Sequence, residues 1–238
     1  MEAKLNELVN RLKAAAKENL KAVVLYGSAV TGEFRAGHSD LNTLCIVEHA
    51  GAADLERLHA PAEWWIRQGN HAPMIFTLDE LRRSADVFAM ELLDVKQHHR
   101  LLFGEDFLVD FEVPMRLHRM QVERVLRATW LRLRQSVVGA PLDKKTHLGI
   151  MTRSLSTFCV LFRHALIAIG QPAPATKREA VAAVASLTGA DPSAFHAMLD
   201  LKEGKRKDKD LDVEASLHAY LEFVEVVTNE VDRRLDAA

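Results

Sequence analysis

The chain has 238 residues, enough for one large domain or two modest ones, and 48% of them are hydrophobic, ample for a packed core. Lysine plus arginine (31) nearly balance aspartate plus glutamate (33), which excludes a global basic field that would draw the protein onto nucleic acid. The two cysteines, Cys45 and Cys159, lack metal-ligand spacing and a disulfide framework, and there is neither a signal-like N-terminus nor an apolar run of about 18 residues. The expectation is a soluble, cytoplasmic protein with two buried thiols and no membrane association.

Leu5, Leu8, Val9, Leu12, Ala16 and Leu20 recur at helical spacing and predict an amphipathic helix over 3–20. The apolar run Val23 to Tyr26 then meets Gly27-Ser28, and about a dozen residues later a second apolar run begins with Ser39-Asp40-Leu41-Asn42. This pattern predicts two strands joined by a polar, glycine-containing loop. Strand side chains alternate between faces, so Asp40 and Asn42 project from the same face, roughly 6–7 Å apart at Cα, and can share a ligand. Gly27 lets backbone amides approach an anion closely, and Ser28 offers a hydroxyl where a short helix can begin. Arg35, inside the loop, reads either as a phosphate contact or as a solvated side chain.

Gly51 opens a helical stretch with Leu55, Leu58, Ala62, Trp65 and Ile66 on one side, broken or kinked at Pro61. Trp64 and Trp65 are adjacent and cannot share a face, so one belongs to the core and the other to the surface. Pro73 to Thr77 suits a third strand, and Thr77 with Glu80 forms a capping box for the helix after it. Glu91 is an acid embedded in an apolar run and needs a partner; Asp94 is a second such acid. Either reads equally as a salt-bridge or helix-end residue. His98 and His99 are neighbours that diverge on any regular element, without a third ligand at suitable spacing. Arg100 is a substrate contact or a solvated cation.

Pro114 marks a change of register, after which strands give way to long helical periodicities. The expected domains are therefore 1–113, with the sheet, and 114–238, a helical bundle. Val122, Leu126, Trp130, Leu133 and Val137 line the first bundle helix, whose other face carries six arginines from Arg116 to Arg134. Leu148 to Ile169 form the strongly apolar central helix. A capping box at Thr176 and Glu179 opens the third, Asp191-Pro192 caps the fourth, and the last begins near Asp212. The mixed-charge run from Lys202 to Asp210 reads as a mobile, solvated connection. The bundle also offers a surface for homodimerisation.

Gly27-Ser28, the spacer glycine Gly32 and Asp40-Leu41-Asn42 together resemble the signature of the DNA polymerase beta-like nucleotidyltransferase superfamily. A small mixed sheet followed by a bundle is similar to the layout of kanamycin-type and other small-substrate relatives. The resemblance implies an α+β fold, with a nucleotidyltransferase-type mixed sheet and flanking helices followed by an all-α bundle. It implies Mg²⁺ and ATP or another nucleoside triphosphate, and a small-molecule or protein acceptor. Gly27 and Ser28 would hold triphosphate oxygens, Asp40 would be catalytic and ligate metal, and Asn42 occupies the second metal-ligand position. Glu91, in a segment resembling one where an acid lies in a short strand, would be the third carboxylate and base, with Asp94 as the alternative.

One departure matters: the superfamily has a carboxylate where this chain has Asn42. Asp40 with Asn42 supplies one negative charge and one neutral carbonyl oxygen, so metal affinity should fall. Two readings follow, an active enzyme moving a nucleoside monophosphate onto a hydroxyl, or a catalytically silent module that binds a nucleotide or a partner protein. The neutral amide favours the second.

Overall fold

A computed structural model describes residues 1–32 and 40–236. The chain divides into two compact units, Met1–Pro114 and Met115–Ala238.

The first unit is built on a four-stranded mixed sheet. Helix α1 (Glu2–Ala16) leads to β1 (Leu20–Tyr26), a single helical turn α2 (Ser28–Thr31), β2 (Asn42–Val47), α3 (Ala52–Arg67), β3 (Met74–Thr77), α4 (Leu78–Ser84), α5 (Ala89–Gln97) and β4 (His99–Gly104). The spatial order is β3-β2-β1-β4, with β1 antiparallel to both β2 and β4 and β2 parallel to β3. Helix α1 ends four residues earlier than its apolar spacing suggests. Lys17 takes φ 51, a 3₁₀ turn spans Lys17–Asn19, and Leu20 already belongs to β1. The Asn19 side chain fixes that exit by accepting from the His49 amide (2.8 Å) and donating to the His49 carbonyl (2.9 Å).

Alternation along β1 and β2 divides the core in two. Val23, Leu25, Leu41, Cys45 and Val47 pack with Leu5, Leu8, Leu12, Leu58 and Trp65 of α1 and α3. Ala22, Val24, Leu44 and Ile46 pack on the other face with Leu81 of α4 and Leu92 and Val95 of α5. Helix α3 runs through Pro61 rather than breaking there. Leu58, Pro61 and Trp65 form its buried stripe, so the proline ring contributes to the apolar face. Trp65 is fully buried, while Trp64 is partly buried beneath the Arg11 guanidinium, 4.6 Å from its ring centre. Gly104 is irreplaceable on steric grounds: it sits at φ +84, and a Cβ there would lie 1.8 Å from the Lys21 carbonyl oxygen.

The second unit contains α6 (Met115–Val138), α7 (Lys144–Ala168), α8 (Lys177–Thr188), α9 (Ser193–Lys202) and α10 (Val213–Asp236). Helix α7 is central and packs against the other four. Its Phe158 and Phe162 meet Phe195, Tyr220 and Phe223 in one aromatic cluster, with Phe195 stacked on Tyr220 at 4.1 Å and 5°. The two capping boxes form where the sequence places them, with Glu80 N–H donating to Thr77 Oγ1 (3.2 Å) and Glu179 N–H to Thr176 Oγ1 (3.2 Å), and Asp143 Oδ1 accepts from Thr146 N–H (2.9 Å) at the start of α7. The mixed-charge run after α9 is exposed from Gly204 to Asp210, as expected for a solvated connection, and is anchored at its start. Arg178 bonds Asp200 (2.8 Å) and Glu203 (3.1 Å), and Lys205 pairs with Glu203 (2.6 Å). Among the described residues, no helix is long and apolar enough to cross a membrane.

Candidate functional site

The end of the sheet where β1 stops and β2 starts is polar, whereas the strands behind it are buried. Tyr26, the last residue of β1, pairs with Asn42, the first of β2, and on its other side with His99, the first of β4. Paired strand residues share a face, so Asn42, Tyr26 and His99 form a row along the sheet mouth on the face covered by α4 and α5. Burial pushes the Tyr26 phenol above its ordinary pKa, which keeps it a neutral hydroxyl.

Gly27 turns the chain at this mouth. Its φ of 79 and ψ of −150 belong to a region open essentially to glycine, and a Cβ there would stand 3.3 Å from Asn42 Nδ2. A glycine at this corner thus leaves room for the Asn42 side chain. Val30 N–H donates to the Gly27 carbonyl (2.9 Å), closing the turn of α2 with Ser28 half-buried at its start; Gly32 ends it in the left-handed region. Arg35 and Ser39 lie outside the described residues.

Asp40 sits just outside β2, with its side chain 44% exposed, and buried Leu41 separates it from Asn42. Its Oδ2 lies 3.0 Å from His71 Nε2. His71 belongs to the connection from α3 to β3, which is pinned here: Leu41 N–H donates to Asn70 Oδ1 (3.0 Å), and Asn70 Nδ2 donates to the Trp65 carbonyl (3.4 Å). His71 and Asn70 carried no sequence signal, since they lie about 30 positions from Asp40 and only the parallel pairing of β2 with β3 brings them there.

Glu91 lies in the first turn of α5, exposed, rather than in a strand. The apolar run around it is helical, with Ala89, Met90, Leu92 and Leu93 buried and Glu91 on the outer face. Asp94, a turn later, is half-buried. Helix α5 covers the face that carries Asn42, through Leu92 and Val95. Arg100 is engaged on the surface by both carboxylate oxygens of Glu2 at 3.1 Å. His99 is held between the Lys96 carbonyl (2.9 Å) and the Asp106 carboxylate (3.0 Å).

Among the described residues, no group of three or more His, Cys, Asp and Glu side chains could hold a metal ion. Of the two residues expected to ligate metal, Asp40 offers a carboxylate with the His71 imidazole beside it, and Asn42 offers a neutral amide.

No family model matches the chain, and no curated protein matches it. Among solved structures, it is similar to spectinomycin adenyltransferase AAD(9) from Enterococcus faecialis, determined with ATP and spectinomycin. The TM-score is 0.51 at 15% identity, over 99% of this chain and 99% of that chain. The fold, a mixed four-stranded sheet with flanking helices followed by a helical region, is of nucleotidyltransferase type.

Proposed function

We propose that this protein belongs to the DNA polymerase beta-like nucleotidyltransferase superfamily, and that its Gly27–Asn42 corner takes ATP or another nucleoside triphosphate with Mg²⁺. The observation that carries the reading is the layout of corner and strand: Gly27 turns beside the Asn42 side chain, so that an added Cβ would lie 3.3 Å from its amide nitrogen, and Asp40 precedes Asn42 by two residues. Similarity in fold to an adenyltransferase determined with ATP supports a nucleotide as the ligand. Fold alone names no acceptor.

In this reading the Gly27 and Ser28 backbone and the Ser28 hydroxyl hold triphosphate oxygens. Asp40, with the Asn42 carbonyl oxygen, holds the cation, which when bound neutralises phosphate charge. Transfer would proceed by attack of an acceptor hydroxyl oxygen on the α-phosphorus, with the bond to pyrophosphate breaking and the hydroxyl proton passing to a carboxylate. Glu91 is the proposed base, exposed on the helix covering the Asn42 face, and Asp94 is the second choice. The acceptor class is a small molecule or a protein hydroxyl, and the helical unit, 114–238, is the proposed surface for homodimerisation.

A second reading is favoured by a specific observation. Asn42 brings no charge, and His71 occupies an oxygen of the single carboxylate. Such a site binds nucleotide weakly and transfers slowly or not at all, which describes a catalytically silent nucleotide-binding or interaction module. Calorimetric titration with ATP and Mg²⁺, on the natural protein and on Asn42→Asp, separates the two. Magnesium-dependent binding by the natural protein supports the enzyme; binding by Asn42→Asp alone supports the silent module. Absence of binding by both defeats the nucleotide reading.

A further inference from the structure

Helix α6 of the second unit buries one side and exposes another of unusual composition. His118, Val122, Leu126, Thr129 and Leu133 form its buried stripe. On the opposite side Met120, Arg124, Arg127, Leu131, Arg134 and Val138 follow one another at intervals of four and three residues, which sets them in a single line about 27 Å long. All six are exposed, Met120 at 57%, Leu131 at 55% and Val138 at 88%. Single exposed apolar side chains are ordinary, but here three share one line with three arginines. Between Met120 and Val138 the only acid is Glu123, which flanks the line rather than standing on it. A solvated helix face gains from acids and bases three or four residues apart, whereas Arg124 and Arg127 at that spacing repel each other. Arg127 is paired with Asp232 of α10, its Nε 3.0 Å from Oδ1. Among the described residues no acid pairs with Arg124 or Arg134, and the Arg134 guanidinium lies over the Trp130 ring at 5.6 Å.

We infer that this face docks a helix of another protein, one whose contact line carries carboxylates opposite the arginines and apolar side chains opposite Met120, Leu131 and Val138. The four-three spacing is that of a coiled-coil seam, where each position meets its own set of side chains on the facing helix, so charged and apolar layers can alternate. Arginine suits the charged layers, since its planar fork bonds a carboxylate through two N–H groups. A membrane surface fits less well. Helices that lie in lipid keep a continuous apolar face with cations at its borders, and here Arg124 and Arg127 stand between Met120 and Leu131 on the line itself. Nucleic acid would answer the arginines and leave the three apolar side chains without a counterpart. Two copies of this chain cannot pair here about a twofold axis: the antiparallel arrangement sets Arg124 against Arg134, and the parallel one sets each arginine against itself. Homodimerisation is thereby left to other faces of the bundle. The seam involves none of the residues at the sheet mouth and stands apart from the nucleotide reading.

The test uses the full chain and a fluorescently labelled synthetic peptide of three heptads, with leucine opposite Met120, Leu131 and Val138 and glutamate opposite the arginines, made in both the parallel and the antiparallel order. By anisotropy at low salt, one order should bind about tenfold more tightly than a scrambled peptide of the same composition. Arg124→Glu combined with Arg134→Glu should weaken that binding about tenfold or more, and should create binding of the same peptide with lysine in place of glutamate. Leu131→Ser should weaken it with the charges unchanged. Because these side chains are exposed, every variant should keep the thermal unfolding midpoint of the natural protein, and Arg124→Gln with Arg134→Gln provides a milder pair that should also lose the peptide. No preference for either ordered peptide over the scrambled one overturns the assignment, as does binding that the charge reversal leaves intact. Phosphatidylserine vesicles and duplex DNA are titrated alongside. Tighter binding of either, lost on the same reversal, overturns it in favour of lipid or nucleic acid.

Discussion

The sheet mouth of the first unit and the aromatic centre of the second are built on opposite principles. Phe158, Phe162, Phe195, Tyr220 and Phe223 are each at most 1% exposed, and the Tyr220 hydroxyl is satisfied by Ser154 Oγ at 2.9 Å. Asp40, Asn42, Gly27 and Ser28 are half-exposed, and Gly27 holds a backbone conformation that suits only glycine. Substitution in the aromatic centre should cost folding energy and little chemistry; substitution of the polar side chains at the sheet mouth should cost ligand binding and little folding energy. That asymmetry distinguishes a site from a core, and each half of it can be broken.

The largest effect expected is Phe195→Ala. Phe195 contacts four other rings of the cluster, and truncating such a side chain costs about 3–5 kcal/mol. Denaturant unfolding should register it, and a loss below about 1 kcal/mol would mean the cluster is not the packing centre. Next is Gly27→Val. Forcing a β-branched residue into φ 79 and ψ −150, with its Cβ against Asn42 Nδ2, costs about 1–3 kcal/mol in strain. ATP binding should disappear in the same variant. Retained ATP affinity with unchanged stability would contradict the corner as described.

Asp40→Ala sharpens the contrast from the other side. Its exposed carboxylate contributes little to folding, so stability should change by no more than about 0.5 kcal/mol while divalent-cation binding is lost. An unfolded Asp40→Ala protein would show the acid to be structural. The smallest effect concerns Cys45, whose thiol is pushed by burial from 9.0 up to about 12. Its folded value is raised, so its contribution to stability is complete below about pH 9 and is lost as pH rises toward 12. At pH 8 the native protein should react with a thiol reagent far more slowly than the unfolded chain. Rapid reaction of Cys45 in the native state would mean that the sheet opens readily.

The two regions also differ in how far the sequence reveals them. The bundle is local information: α7 follows from the spacing of Met151, Leu155, Phe158, Phe162 and Leu166, and its neighbours from capping residues such as Thr176 and Glu179. The strand-turn-strand around Gly27 is equally local, and Asn42 comes to the glycine through the antiparallel pairing of consecutive strands. His71 could not be found that way. It reaches Asp40 through a parallel pairing across the whole of α3, and no spacing rule links positions so joined. The strand that the family resemblance implies around Glu91 is instead the first turn of α5, whose apolar side packs on the sheet and leaves the acid on the outer face. Pro61 shows a similar override, its ring stabilising α3 through burial at a position where local propensity calls for a break.

The central claim, that the Gly27–Asn42 corner is a nucleotide site headed by Asp40, is tested most directly by a crystal soaked with ATP and Mn²⁺. The account predicts an anomalous manganese peak within ligand distance of Asp40 and triphosphate density against Gly27 and Ser28. Nucleotide bound elsewhere with no manganese at Asp40 would contradict it.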